Sequence, residues 1–452
     1  MSKNKLFEYW KQILLIAVPV SLQNILIASL SGIDQIMVGQ LGTTSVAGVG
    51  IGYKIPNLFV ITITSIGTCV GIMVSQYFGA KNKKCMIESL VGNLIFAILV
   101  FILFLIPSLI FPKEIIGFFT KDTDVIPVAV NYYKILLVAF IPMTLRALLT
   151  AYIRSIKKIR IVVLASMASV AVNTGLNYVL IFGKFGMPKL GYIGAAIATV
   201  ISVYVECIIL IISFIKEIKN YEFDKSIMKI EGTFYRKIMI ILIPVILNEF
   251  LWGLGDTLYS LIYSRMGTTE MAAMALTYPI QNACIGLFQG IAAASGIIVG
   301  NLLGEGNKEE AYNYSRFFMK ISIFGGIILA GILFIVNRYY VALFNVDTSV
   351  VNLTYKMVIA YAFVVWIKIS NMVGAGGIIR SGGETKITLY MDLLGTWVIG
   401  IPLGFIMAFV FNLSLPVVYM FISFEEFVRF IITIVVLRRK KWMVNLTAVT
   451  AN

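Results

Sequence analysis

Apolar stretches of about 20 residues recur along the whole chain, which is the length a helix needs to cross the hydrocarbon core of a bilayer. Short polar clusters separate them. The stretches do not alternate apolar and polar residues as the strands of a transmembrane β-barrel do. They predict about twelve spanning helices, over residues 10–38, 45–79, 86–112, 125–153, 160–183 and 191–217, then 234–265, 270–303, 309–338, 348–379, 386–411 and 414–438. Several are longer than a bilayer requires, so tilt or extension into water is expected. The most polar stretch runs from Lys216 to Lys237 and reads as a linker. The expected architecture is an all-α polytopic membrane protein: a six-helix bundle over 1–218, a cytoplasmic linker at 219–233, a second six-helix bundle over 234–441, and a cytoplasmic tail at 442–452.

Composition agrees with the pattern. Of 452 residues, 59% are hydrophobic and 13% charged, and mean hydropathy is +0.93. A soluble domain averages roughly 25% charged residues, so this chain lacks the means to cover a water-soluble surface. The net charge of +15 raises the question of nucleic acid, but the basic residues lie in short clusters between apolar runs. Lys81, Lys83 and Lys84 form one; Arg154, Lys157, Lys158 and Arg160 another; Arg438, Arg439, Lys440 and Lys441 a third. Such clusters set membrane topology. Lys and Arg concentrate in the loops on the side of both termini, which places both termini in the cytoplasm and the protein in the plasma (inner) membrane as a multi-pass chain. The first apolar run continues from Ile13 past Leu30 without a small-residue cleavage site, so it is expected to stay as an anchor.

Histidine is absent, which excludes His-based zinc sites and His-dependent catalytic triads. Cys69, Cys85, Cys207 and Cys284 are far apart and read as packing residues. No GxxxxGK[ST] loop is present, so no ATP and no other cofactor is expected. Nor is there a soluble domain in which an enzyme site could sit. Nothing in the sequence requires a partner subunit, so a monomer in membrane lipid is expected.

The chain repeats itself. At a shift of 225 residues, Pro19-Val20 falls on Pro244-Val245 and Gly42-Thr43-Thr44 on Gly267-Thr268-Thr269. Tyr53, Ile55 and Asn57 meet Tyr278, Ile280 and Asn282; Gly71 and Gly79 meet Gly296 and Gly304; Asn82-Lys83 meets Asn307-Lys308. Arg154-Ser155 meets Arg380-Ser381 at a shift of 226. A repeat with an even number of spans gives two halves of the same orientation, related by an axis along the membrane normal. Transporters built in this way hold substrate near the midplane and work by alternating access.

A charge in the hydrocarbon core costs about 2.5–3.5 kcal/mol on insertion scales, so each needs a reason. Lys54, Arg146, Glu206, Glu425 and Glu426 all fall inside predicted spans. Asp34 is the strongest candidate, a lone carboxylate in the apolar, glycine-rich run LSGIDQIMVGQLG. It is suited to take up and release H+, or to ligate Na+ with help from neutral oxygens. Asn173 and Asn177, four apart and on one helix face, can supply those oxygens. Glu249 and Asp256 lie seven apart on one face of the seventh span, with Lys368 as a natural partner for one of them, as a switch or a fixed pair. Tyr53 and Asn57 in one half, with Tyr278, Gln281 and Asn282 in the other, make polar-aromatic patches suited to an amphipathic, cationic small molecule. Met271, Met274 and Met372 suit a tolerant cavity.

The run IDQIMVGQLGTTSVAGVGI, its repeat partner Gly267-Thr268-Thr269 with Ala272, and the RSGGETK loop after the tenth span together resemble the multidrug and toxic compound extrusion (MATE) family. The resemblance covers essentially the whole chain. It implies two six-helix bundles in a V and antiport of drugs against Na+ or H+. Asp34 matches the family's functional aspartate of the first span, and Asn173 its asparagine of the fifth. Asn177 stands where some branches carry aspartate. Glu249 matches the span-seven glutamate of the sodium-coupled branch, whereas Ile369, beside Lys368, stands where that branch has a span-ten aspartate. The alternative within the wider superfamily is a flippase for lipid or polysaccharide precursors. A pyrophosphate-bearing substrate would call for a cavity lined by Arg or Lys; mixed charges with several carboxylates suit a cation better.

Overall fold

A computed structural model describes residues 3–219, 221, 230–344 and 346–448. Among them the chain forms twelve long helical segments. In order these are α1 Lys3–Gly39, α2 Thr43–Gly79, α3 Lys83–Ile110, α4 (Val125–Leu137 with Phe140–Ser155), α5 Ile159–Phe182 and α6 Tyr192–Ile218. Then follow α7 Gly232–Met266, α8 Thr268–Gly304, α9 Lys308–Val341, α10 Thr348–Ile379, α11 Thr385–Val410 and α12 (Leu415–Ile422 with Phe424–Arg439). The expected linker, 219–233, lies for the most part outside the described residues, as do positions 449–452 of the expected tail.

Eleven of the twelve are long and apolar enough to cross a membrane, counting α4 as one span bent by 53° between its two pieces. The twelfth is interrupted at Ser423 and carries Glu425, Glu426 and Arg429, all buried. A helix can keep such charges within an apolar fold only by packing them inward. Outward faces are apolar: Phe324, Ile328 and Ile335 on α9 are exposed at helical spacing, as lipid-facing side chains are.

The repeat reappears as local structure. Asn82 and Asn307 cap α3 and α9, each side chain accepting from the backbone N–H three residues on (3.0 Å from Cys85, 3.2 Å from Glu310). Gly42 and Gly267 precede α2 and α8 with positive φ, +94° and +156°, a conformation that favours glycine.

The contacts divide the chain into two compact units. The smaller comprises Leu22–Val74 and Asn82–Leu242; the larger comprises Met1–Ser21, Ser75–Lys81 and Ile243–Asn452. In the smaller, α5 packs along α6, and α2 against the first piece of α4. In the larger, α9 packs along α10, and α8 also lies against the end of α2. There an added Cβ at Gly79 would come 1.9 Å from the Asn301 carbonyl oxygen, and one at Gly304 1.8 Å from that of Gln76. Gln76 and Asn301, like the two glycines, are repeat counterparts. Beyond α12, Trp442 is fully buried, and Gln76 accepts from Leu446 N–H (2.8 Å) while donating to Ser381 and Val444 carbonyls. All four cysteines are buried and unbridged.

Candidate functional site

In the smaller unit the sequence-predicted trio assembles. Asp34 sits in α1 and meets α5, where Asn173 and Asn177 share a face. Asn177 Nδ2 donates to Asp34 Oδ1 at 2.5 Å. Asn173 places its amide 2.9 and 3.2 Å from the two carboxylate oxygens, in the orientation that turns its nitrogen toward them. Both asparagines are buried. One turn past Asp34, Val38 packs into an apolar cluster with Tyr132, Leu136 and Ile181. The carboxylate is thus held by neutral amides inside an apolar helix bundle, where gain or loss of one charge changes its energy strongly. Tyr53 lies at the break in α2, within electrostatic reach of Asp34 and Arg146, and is 40% exposed. Asn57 is exposed, with its N–H donating to the Tyr53 carbonyl.

A second polar chain in this unit escaped the sequence reading. Arg154 donates to Gln23 (2.6 Å), and the Gln23 amide donates to Ser166. Ser166 donates in turn to Glu206 (2.7 Å), which pairs with Arg146 at 3.0 Å. The repeat held the signal: Gln23 and Arg154 correspond to Asn248 and Arg380, and the larger unit makes the equivalent contact, Arg380 donating to Asn248.

In the larger unit Glu249 pairs with Arg380 at 2.9 Å, not with Lys368. The two members of that ion pair come from α7 and from the helical C-cap of α10. Asn248 links the pair onward by donating to Asp392 of α11. Lys368, Asp256, Tyr278 and Gln281 do come together, lining one cavity of about 60 Å³ with Glu425 and Ser423. The Lys368 ammonium lies 5.4 Å above the Tyr419 ring, and the Tyr278 hydroxyl is 3.4 Å from that of Ser260. Of the methionines, Met274 lines the same cavity, while Met271 and Met372 are partly buried beside the neighbouring core. Asn282 is exposed. Arg429 and Asp392, absent from the sequence reading, form a charge cluster with Glu425 and Glu426.

Twelve helical segments, eleven of them long and apolar enough to span a membrane, an internal repeat and ionisable residues held inside the spans define a polytopic membrane transporter. Comparison with known proteins agrees. The MatE family model matches twice, over residues 19–179 and 244–406, once in each repeat. The chain therefore belongs to the MatE family: it is a multi-pass membrane transporter of MATE type and not an enzyme. A probable multidrug resistance protein NorM of Bacillus subtilis (strain 168) is 25% identical over 405 residues, 88% of each chain. The protein of that name from Oceanobacillus iheyensis is 25% identical over 406 residues, 88% of this chain and 89% of its own. Among solved structures, MATE in the bent conformation aligns over 98% of this chain and 97% of its own with TM-score 0.84 at 18% identity. A MOP superfamily transporter from Pyrococcus furiosus, described as having reversed pocket polarity, aligns over 96% of each chain with TM-score 0.86 at 17% identity.

Proposed function

We propose that the chain is a secondary active exporter of amphipathic, cationic small molecules, driven by exchange for a cation, H+ in preference to Na+. Its two repeats form bundles over 1–218 and 234–441, both termini face the cytoplasm, and it works as a monomer by alternating access. The observation that carries this reading is Asp34, a lone carboxylate inside an apolar bundle, held by Asn173 and Asn177. Two amides beside one carboxylate make a seat that alternates between charged and neutral more readily than a fixed ion pair, because among the described residues no side-chain cation pairs with it. The naming of its NorM relatives as multidrug resistance proteins supports drug-like substrates, and Tyr53, Asn57, Tyr278, Gln281 and Asn282 are the side chains assigned to them.

The test is efflux of ethidium from proteoliposomes, with a proton gradient and a sodium gradient imposed separately, for the wild type and Asp34→Asn. Transport under the proton gradient alone, lost in a variant that still purifies as a monodisperse protein, is the expected result. Unchanged transport by Asp34→Asn overturns the site. Transport under neither gradient favours the flippase alternative, with lipid-linked precursors as the substrates to try.

A further inference from the structure

Arg429 of α12 is reached by three carboxylates and paired tightly with none. Its Nε lies 3.3 Å from Asp392, its Nη2 3.5 Å from Glu425 and its Nη1 3.8 Å from Glu426. Glu425, Glu426 and Arg429 are all more than nine-tenths buried. The α11 backbone makes room for them: an added Cβ at Gly395 would strike Arg429 Nε at 2.4 Å, and one at Gly400 would strike the Tyr259 hydroxyl and Glu425. Through Asn248 the cluster joins the Glu249–Arg380 pair. Around Arg429 three carboxylates (Glu425 and Glu426, buried, and Asp392, part-exposed) face two cations (Arg429 and Lys368), while the more exposed Glu249 is matched by Arg380. Asp256, at the exposed side of the cavity, adds negative charge rather than removing it. An uncompensated buried carboxylate is too costly to persist and takes up a positive charge.

The cavity shows where that charge enters. Glu425 and Ser423 both line it. Ser423 is 3% exposed, and its hydroxyl has no hydrogen-bond partner among the described residues, although buried hydroxyls are nearly always paired. The space, about 60 Å³, holds a few water molecules and no drug. Tyr259 donates to Glu425 Oε2 at 2.8 Å, the oxygen that Arg429 also approaches, and among the described residues nothing hydrogen-bonds Oε1.

We propose that the larger unit carries its own proton-binding site, the Asp392–Glu425–Glu426 cluster on Arg429, loaded at Glu425 Oε1 from water in the cavity walled by Ser423. The proton comes from hydronium and returns to water, with no other bond made or broken. The groups facing Glu425 and its cavity are Tyr259, Tyr263 and Asp256 from α7, Tyr278 from α8, Lys368 from α10, Asp392 from α11, and Tyr419, Glu426 and Arg429 from α12 itself. This site is separate from Asp34; its use in driving export rests on the antiport reading, but its existence does not.

Infrared spectroscopy tests it without transport. A protonated carboxylic acid shows a carbonyl stretch that carboxylates lack. Spectra are recorded on purified, sodium-free protein in an Asp34→Asn background, so that Asp34 contributes nothing. The expected result is one such band near neutral pH, lost in Glu425→Gln, restored in shifted form by Glu425→Asp, and unchanged on adding sodium. Absence of the band, its survival in a folded Glu425→Gln variant, or its loss on adding sodium overturns the proposal. Should Glu425→Gln not fold, the Glu425→Asp variant still decides, since an unshifted band places the proton elsewhere. A failed efflux test of Asp34 leaves this result standing.

Discussion

Glu206 is the residue on which the smaller unit's second polar chain turns, because it answers the guanidinium of Arg146 while accepting from Ser166. Breaking a buried pair from one side costs roughly 3–5 kcal/mol, and the Arg146 side chain, 30% exposed, recovers part of that through solvent. Glu206→Met is therefore expected to lower the thermal unfolding temperature in detergent clearly, and Arg146→Met combined with it to restore most of the loss. Equal damage in single and double variants would show that the pair contributes nothing as a pair. At this scale the sequence is informative where spacing is local. Asn173 and Asn177 share a face by helix geometry alone, and an isolated aspartate in an apolar run marks itself. The partner of Glu249 is not legible in that way. Arg380, read as part of a loop, reaches it because α10 runs on through a stretch of π-helix, Met372–Ile379, and a wider helical turn leaves no mark in composition. Lys368 is as plausible a partner by sequence, and only the fold places it above Tyr419 instead.

Among the elements, long apolar runs give the helices but not their interruptions. Span four reads as continuous, yet bends by 53°; span twelve also reads as continuous, yet breaks at Ser423. The break matters, because it sets beside Glu425 a hydroxyl that has no partner among the described residues. Repeat glycines were legible, but their purpose was not. Gly79 and Gly304 exist for close approach of α2 and α8, where backbone carbonyls occupy the space of a side chain. Backbone cannot step aside as a flexible side chain can, so Gly304→Ala must push the helices apart, at a cost of about 1–3 kcal/mol. Gly286, on the same helix α8 with open space at its Cβ position, supplies the control. Thermal unfolding should fall for Gly304→Ala and hold for Gly286→Ala; the reverse order would refute the packing argument.

Across the whole molecule the two units keep different charge accounts. In the smaller, Asp34 and Glu206 stand against Arg146 and Arg154, a balanced set that becomes positive when Asp34 takes a proton. In the larger, the three carboxylates around Arg429 exceed the two cations beside them, Arg429 and Lys368, by one. If each unit exchanges one proton while a singly charged drug leaves, two positive charges enter for each one exported. Such a cycle moves net charge, and moving one charge across the membrane is worth about 2.3 kcal/mol per 100 mV. Ethidium export from proteoliposomes at equal pH on both sides should then be driven by a potassium-diffusion potential of the sign that draws protons in. Under the same potential, Glu425→Gln should exchange one proton for one drug and lose the response, while keeping export driven by a pH gradient. Export by the wild type that ignores the potential would mean that the larger unit keeps its proton throughout the cycle. The cluster on Arg429 would then be a fixed part of the fold, and Asp34 alone would couple the two fluxes.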